Sequence, residues 1–343
     1  MPDEILIADD PWSREYWQHR RIAPLVDSVR ELMRGNFKVY MLYWMERCAG
    51  APWCSLGKAK THAKCVQRLA QDIAENGYNP HAWREDPRHE KWEADRPGAY
   101  GPLSVTIGPD GRINPWDGAH RSAILRVLGK ECRARVYQRS EEWRALLDFN
   151  DKPYTPYPHP DMNGRQAYRP GTERFSAIAD FLAQRKAKRC LFVGACTGFG
   201  MAHLAARGFA VDGIEPHPER FKLAEAYLQR VSPESTLYPL PAFEFARYGD
   251  YDAVIGLAVW HHVATSLKRW VKVLGNLATC PIQIVELAGN EEGQWHDDFR
   301  EYAHGMPGHV VFESLIASGQ YTDEQTIFTD THYANRPTVA LWR

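Results

Sequence analysis

The stretch Lys188-Arg189-Cys190-Leu191-Phe192-Val193-Gly194-Ala195-Cys196-Thr197-Gly198-Phe199-Gly200 constrains the fold more than any other part of the chain. A short apolar run is followed at once by a glycine turn and then by a helical pattern. A second apolar run, Phe209-Ala210-Val211-Asp212-Gly213-Ile214, ends in Glu215. Strand, glycine turn, helix and an acid closing the next strand make a nucleotide-binding half-site. The glycines let backbone amides approach a ligand closely, and the carboxylate can accept both hydroxyls of a ribose.

The alternation continues to the C-terminus. Strands are expected at 189–194, 209–215, 236–239, 252–258 and 281–287, and helices near 199–207, 217–230, 266–278 and 309–318. Two last strands, about 325–330 and 338–342, form a hairpin-like pair. The pattern predicts an α/β fold with a doubly wound, mostly parallel sheet of seven strands. A chain of 343 residues is long for one core, so two domains are expected. The boundary falls at 151–172, where Pro153, Pro156, Pro158, Pro160 and Pro170 cannot join a helix or a central strand. That leaves an N-terminal domain over 1–150 and a C-terminal one over 173–343.

The N-terminal part reads as a smaller α+β domain. Helical patterns cover about 24–34 and 62–76; the second carries Val66, Leu69 and Ile73 on one face and stops at Gly77. Leu103, Val105 and Ile107 alternate with Ser104 and Thr106, Gly108-Pro109-Asp110-Gly111 turns the chain, and Arg112–Trp116 returns as a second strand. Asp117-Gly118 opens a helix from Ala119 to Leu128, and Cys132, Ala134 and Val136 alternate as a further strand.

Composition weighs against several classes of function. Net charge is −1 and the pI is about 6.9, so a basic excess typical of nucleic-acid binders is missing. The seven cysteines form no C-x-x-C pair and no zinc spacing, which argues for reduced thiols, a cytoplasmic location and no bound metal. No apolar run approaches the length of a membrane span and no signal-peptide pattern opens the chain, so no membrane insertion is expected.

Over about 172–343 the chain resembles the class I S-adenosylmethionine-dependent methyltransferases. Their first motif, G-x-G-x-G after a strand, lies on Gly194-Ala195-Cys196-Thr197-Gly198, with Cys196 in place of the middle glycine. The resemblance implies S-adenosylmethionine as cofactor, held by Gly194, Ala195, Cys196 and Gly198. It puts the ribose-binding acid at Glu215, with Asp212 as the alternative. Tyr251–His262 corresponds to the fourth strand and its following loop, which ends Val259-Trp260-His261-His262. His261 or His262 at the carboxyl end of that strand is placed to act as a general base, His261 ahead of His262. Packing or shaping the pocket is the other role open to them. Glu286, at the end of the fifth strand, reads either as a substrate contact or as a capping or solvated acid. The G-x-G-x-x-G spacing of dinucleotide oxidoreductases is absent, and so is the proline pair with a following aromatic of DNA amino-methyltransferases. Base N-methylation is thus not expected, and an oxygen acceptor on a small molecule or glycan is preferred.

Residues 101–139 resemble the ParB/sulfiredoxin-like superfamily, on Leu103-Ser104-Val105 and Asn114-Pro115-Trp116-Asp117-Gly118-Ala119-His120-Arg121-Ser122-Ala123-Ile124-Leu125, with the resemblance reaching back to about 60. An insertion of about twenty residues rich in Trp, Arg and Glu interrupts it. Ala119 stands where sulfiredoxins carry cysteine. Asp-Gly-x-His-Arg is most similar to the free-serine kinases of that superfamily. The resemblance implies binding of a phosphate-bearing ligand, ATP or ADP with Mg2+, with Asp117, His120 and Arg121 in the site. Glu46, Asp72 and Glu75 are open as the catalytic base, and Lys58, Lys60 and Lys64 read as an assisting or merely solvated basic stretch. Together the two resemblances imply a bifunctional kinase–methyltransferase. The alternatives are a methyltransferase targeted by a non-catalytic nucleic-acid- or partner-binding module, and a degenerate lid over the methyl acceptor.

Overall fold

The computed structural model describes residues 4–51, 54–78, 103–149, 153, 155–162, 167, 172–263, 265–286, 307–319, 321–330 and 336–343. Two compact units emerge, one of Met1–Asp148 with Pro158–Gly164, the other of Phe149–Tyr157 with Arg165–Arg343.

The second unit is built on a seven-stranded sheet in the order β10-β11-β9-β8-β5-β6-β7. The strands are β5 Arg189–Val193, β6 Ala210–Ile214, β7 Leu237–Tyr238, β8 Ala253–Leu257, β9 Ile282–Glu286, β10 Asp323–Asp330 and β11 Arg336–Trp342. Strands β5 to β9 run parallel, while β11 lies antiparallel to both β9 and β10. This is the Rossmann-like sheet of the methyltransferase fold. Strands β8 and β9 are buried along their whole length, which explains why they read as unbroken apolar runs. The chain leaves β5 towards β6 on one side, and β8 lies on the other. A crevice at such a reversal, outside the carboxyl ends of the strands, is where ligands bind in these sheets.

Helices Phe199–Ala206, Pro218–Val231, Leu267–Leu277 and Pro307–Gly319 lie close to their expected positions. Helix Thr172–Gln184 was not expected from the pattern, although Phe175, Ile178, Ala179 and Leu182 recur at helical spacing and are buried. His261 and His262 do not sit in a loop; Trp260–Val263 forms one helical turn.

The first unit carries a four-stranded sheet in the order β1-β4-β2-β3, with β1 Glu4–Leu6, β2 Ser104–Ile107, β3 Ile113–Asp117 and β4 Arg133–Arg139. The expected β2–β3 hairpin forms, with Ile107 opposite Ile113, and its turn closes by Gly108 N–H donating to Arg112 O at 2.9 Å. Strand β4 joins β2 in parallel after helix Ala119–Val127. Strand β1 and helices Pro11–Gln18, Phe37–Arg47 and Glu141–Phe149 were not expected. The first of these helices has a legible start, since Asp10 accepts from the amides of Trp12 and Ser13 and Pro11 occupies the first turn. The helix expected at 62–76 begins earlier, at Leu56, because Ser55 caps it by accepting from Lys58 N–H. The insertion rich in Trp, Arg and Glu falls mostly on 79–102, outside the described residues.

The proline-rich stretch is divided between the units. Asp161 accepts from both Arg139 Nε and Nη2, and from Trp143 Nε1 at 3.0 Å. His159 Nδ1 accepts from Asp161 N–H at 3.0 Å, so its Nε2 bears the proton and donates to Gly111 O at 2.8 Å. In the second unit, Thr155 and Thr197 share a 2.6 Å hydroxyl bond, and Tyr157 OH donates to Leu223 O at 3.1 Å.

Candidate functional site

The glycine turn after β5 has the geometry its sequence suggests. Gly194 and Ala195 both donate to Ile214 O at 2.9 Å, tying the turn to the end of β6. Gly194 has φ +74°, and a Cβ there would lie 2.7 Å from Val259 Cγ2, so the turn and the segment after β8 approach each other too closely for a side chain. Cys196 departs from the family motif in residue type but not in conformation. Its φ is +53°, the left-handed region a glycine enters freely. We expect Cys196→Gly to raise stability by up to about 1 kcal/mol in denaturant unfolding. A clear loss would mean that the thiol's contact with Thr155 outweighs the backbone strain.

Glu215 is 3% exposed. One carboxylate oxygen accepts from Cys196 N–H at 2.8 Å and the other from His217 N–H at 3.0 Å. Burial raises its pKa above the ordinary carboxylate value, against the opposing pull of these two amides and the nearby Arg220 charge. A carboxylate has about four acceptor sites, so roughly half of its capacity is still open. Asp212, the alternative acid, has other commitments. It accepts from Arg189 Nη2 at 2.9 Å, Tyr251 OH at 2.9 Å and Thr236 N–H at 3.0 Å. Burial works against its charge, but these bonds hold its carboxyl below the usual range.

The segment after β8 begins with Ala258 at φ +51° and continues into the turn Trp260–Val263. His261 is 4% exposed; burial first, then His262 and Arg336, push its pKa down to about 3. His262 is more open, and its ring centroid lies 4.0 Å from that of His261. Desolvation, with Arg220 second, lowers its pKa as well. Arg220 therefore acts on Cys196, Glu215 and His262 together. Sequence reasoning missed it, although it follows Glu215 closely, at the start of helix Pro218–Val231. It also missed Thr155, which lies in a stretch read only as linker.

Glu286 is neither a solvated acid nor an open substrate contact. It is fully buried, and Arg174 Nη1 donates to its Oε2 at 2.8 Å. The partner sits on the helix that the sequence pattern did not reveal, so the pairing was not legible.

In the first unit, Asp117, His120 and Arg121 come together where β3 enters helix Ala119–Val127. Gly118 takes φ +83° at the helix start and, having no side chain, offers the first-turn amides no cap of its own. Arg121 is 6% exposed; its Nη2 lies 3.6 Å from Asp117 Oδ2 and its Nη1 donates to Tyr78 OH at 3.4 Å. A Cβ on Gly118 would stand 2.4 Å from Leu103 Cδ2 and 3.1 Å from that guanidinium, so only glycine fits. The His120 ring packs edge-on against His62 at 5.0 Å, and His62 Nδ1 bonds Tyr40 OH at 3.0 Å. Glu46, Asp72 and Glu75 are exposed, as are Lys58, Lys60 and Lys64. Asp72 accepts from Asn76 on its own helix.

No protein-family model matches the chain, and no curated protein does. Among solved structures, WbdD, described as a bifunctional kinase-methyltransferase, is 24% identical with a TM-score of 0.45. The match covers 58% of this chain and 45% of WbdD, so the chain spans less than half of that protein's length. The N-methyltransferase NodS from Bradyrhizobium japonicum WM9 is 13% identical, with a TM-score of 0.39 over 50% of this chain and 94% of its own. Magnesium protoporphyrin IX methyltransferase from Synechocystis PCC 6803, solved with bound S-adenosylmethionine, is 15% identical, with a TM-score of 0.38 over 50% and 79%. At such scores the strand order, rather than these similarities, carries the fold.

Proposed function

We propose that the second unit is an S-adenosylmethionine-dependent methyltransferase acting on an oxygen of a small molecule or glycan. The observation that carries this reading is Glu215. A buried carboxylate is costly unless its oxygens are satisfied. This one is oriented by two main-chain amides and keeps acceptor sites for two more donors, as a ribose diol requires. It closes β6 beside the Gly194–Gly198 turn, in which Gly194, Cys196 and Gly198 all take left-handed backbone angles. When bound, the cofactor supplies an electrophilic methyl group on a cationic sulfonium. The chain's own part is to orient the ribose through Glu215, to shape the crevice with Gly194 and Val259, and to accept a proton from the acceptor hydroxyl. For that last task His262 is favoured over His261. A group whose pKa is near 3 is a poor proton acceptor, whereas His262 is less strongly shifted and open to a substrate. His261 remains neutral and fits a packing role.

Calorimetric titration with S-adenosylmethionine tests the reading, and absence of binding overturns it. Once an acceptor is in hand, His262 gives a pH prediction. A base must be unprotonated, and its pKa is lowered. The rate is therefore expected to hold through neutral pH and to decline only below the ordinary histidine value of 6.5. A decline centred at or above 6.5, or a normal rate in His262→Ala, removes it as the base.

For the first unit we propose binding of a phosphate group, as ATP or ADP with Mg2+, at the start of helix Ala119–Val127. A helix start with a glycine at its N-cap and the buried Arg121 beside it favour an anion there. Asp117 would supply the one protein carboxylate for the metal, with phosphate oxygens and water completing its shell. Phosphoryl transfer to a small molecule or glycan end is the activity this would serve. Loss of ATP and ADP binding in Arg121→Ala is expected; no nucleotide binding by the intact chain overturns the kinase reading. A nucleic-acid-targeting module instead predicts binding that weakens steeply with salt.

A further inference from the structure

One face of the first unit's sheet is buried, formed by Val105, Ile107, Ile113, Ala134 and Val136. The opposite face carries two β-bulges that flank the central strand β2. Pairing of β2 with β3 slips between Ser104 and Val105, which leaves Trp116 as the extra residue. Pairing of β2 with β4 slips between Val105 and Thr106, which leaves Tyr137 as the extra residue. Bulges re-aim side chains. Here both aim an aromatic ring at the same place. The Trp116 and Tyr137 rings stack across β2, with centroids 5.0 Å apart and 8° between their planes. They remain 56% and 61% exposed. A single exposed aromatic needs no explanation, but two held flat against each other by separate bulges form a preorganised apolar surface.

The surroundings narrow what this surface can take. On one side the register brings Asn114, Thr106 and Gln138 into a row of neutral amides and a hydroxyl. On the other side it brings Asp117, Ser104 and Arg135 into line, with Glu4 opposite Arg135 on β1. That second row holds two acids against one base. A platform for a nucleic-acid strand combines stacking rings with a positively charged groove, whereas the described residues in these two rows hold two acids and one base. A polyhydroxylated ring fits better. The C–H bonds on a pyranose face carry partial positive charge and suit the negative face of an aromatic ring. Its hydroxyls can donate to and accept from the amide row.

We infer that Trp116 and Tyr137 form a binding platform for a neutral glycan. The platform lies wholly in the first unit and stands apart from the methyl-transfer reading, which concerns the second. The test is calorimetric titration of the full chain with maltohexaose, cellohexaose, mannohexaose and chitohexaose, alongside oligothymidylate. Binding of at least one of these saccharides is expected. Trp116→Ala and Tyr137→Ala should each weaken it by about tenfold or more, and Trp116→Phe should restore most of it. Both side chains are exposed, so the melting temperature and the affinity for S-adenosylmethionine should not change in these variants. Binding of none of the saccharides, saccharide binding that survives both alanine substitutions, or salt-sensitive binding of oligothymidylate instead overturns the inference.

Discussion

Glu215→Ala is expected to weaken S-adenosylmethionine binding by about 1–3 kcal/mol, roughly 5- to 150-fold in dissociation constant. The loss has a structural basis in the two main-chain amides, from Cys196 and His217, that hold the carboxylate. Alanine removes the proposed acceptor for the ribose and also takes away the carboxylate to which those two amides donate. The wild-type protein should show the same dependence through pH. Binding needs the ionised carboxylate, and burial raises the carboxyl pKa. Affinity should therefore fall on acidification, starting at a pH above the ordinary carboxylate range. Asp212 gives the contrast. Its bonds to Arg189, Tyr251 and Thr236 tie β6 to its neighbours, so Asp212→Ala should lower the melting temperature more than the cofactor affinity of the folded fraction. Unchanged affinity in Glu215→Ala would place the ribose elsewhere and overturn the assignment.

The second large effect concerns stability. Removing either member of the Arg174–Glu286 pair should cost about 3–5 kcal/mol, because the remaining buried charge loses the opposite charge it is bonded to. Against a typical total of about 5–15 kcal/mol, a single substitution should shift the denaturant midpoint markedly. The double replacement Arg174→Met with Glu286→Leu should recover most of the loss, since an apolar pair of similar volume needs no counter-charge. If the single variants unfold like the wild type, the pair does not anchor helix Thr172–Gln184 to β9.

Local chemistry explains which parts of the fold were legible. The second unit's strands are short apolar runs bounded by turns, and its first turn needs left-handed residues, so Gly194 and Gly198 marked it plainly. The β2–β3 hairpin was equally clear, because alternation and a Gly-Pro-Asp-Gly turn mark both strands and the reversal between them, although not the bulge at Trp116. Elements stabilised from outside their own sequence were less clear. Strand β1 is only Glu4–Leu6, and it exists because β4 offers an edge. Helix Phe37–Arg47 buries little beyond Tyr40 and Trp44, and its apolar residues make no strong stripe.

The candidate site divides along similar lines. Residue type and spacing alone determined the glycine turn, the acid closing β6, the paired histidines after β8 and the Asp117–Arg121 turn, because each depends on neighbours along the chain. Tertiary structure decided the rest. It set Glu215 apart from Asp212 by giving one two amides and spare acceptor sites, and the other a cation, a phenol and an amide. It separated His261 from His262 by burial, brought the charge of Arg220 to bear on Cys196, Glu215 and His262, and enclosed Glu286 with Arg174. It also stacked Trp116 on Tyr137 across a strand that neither belongs to. These outcomes depend on desolvation and on partners remote in sequence, and neither can be read from a residue and its immediate neighbours.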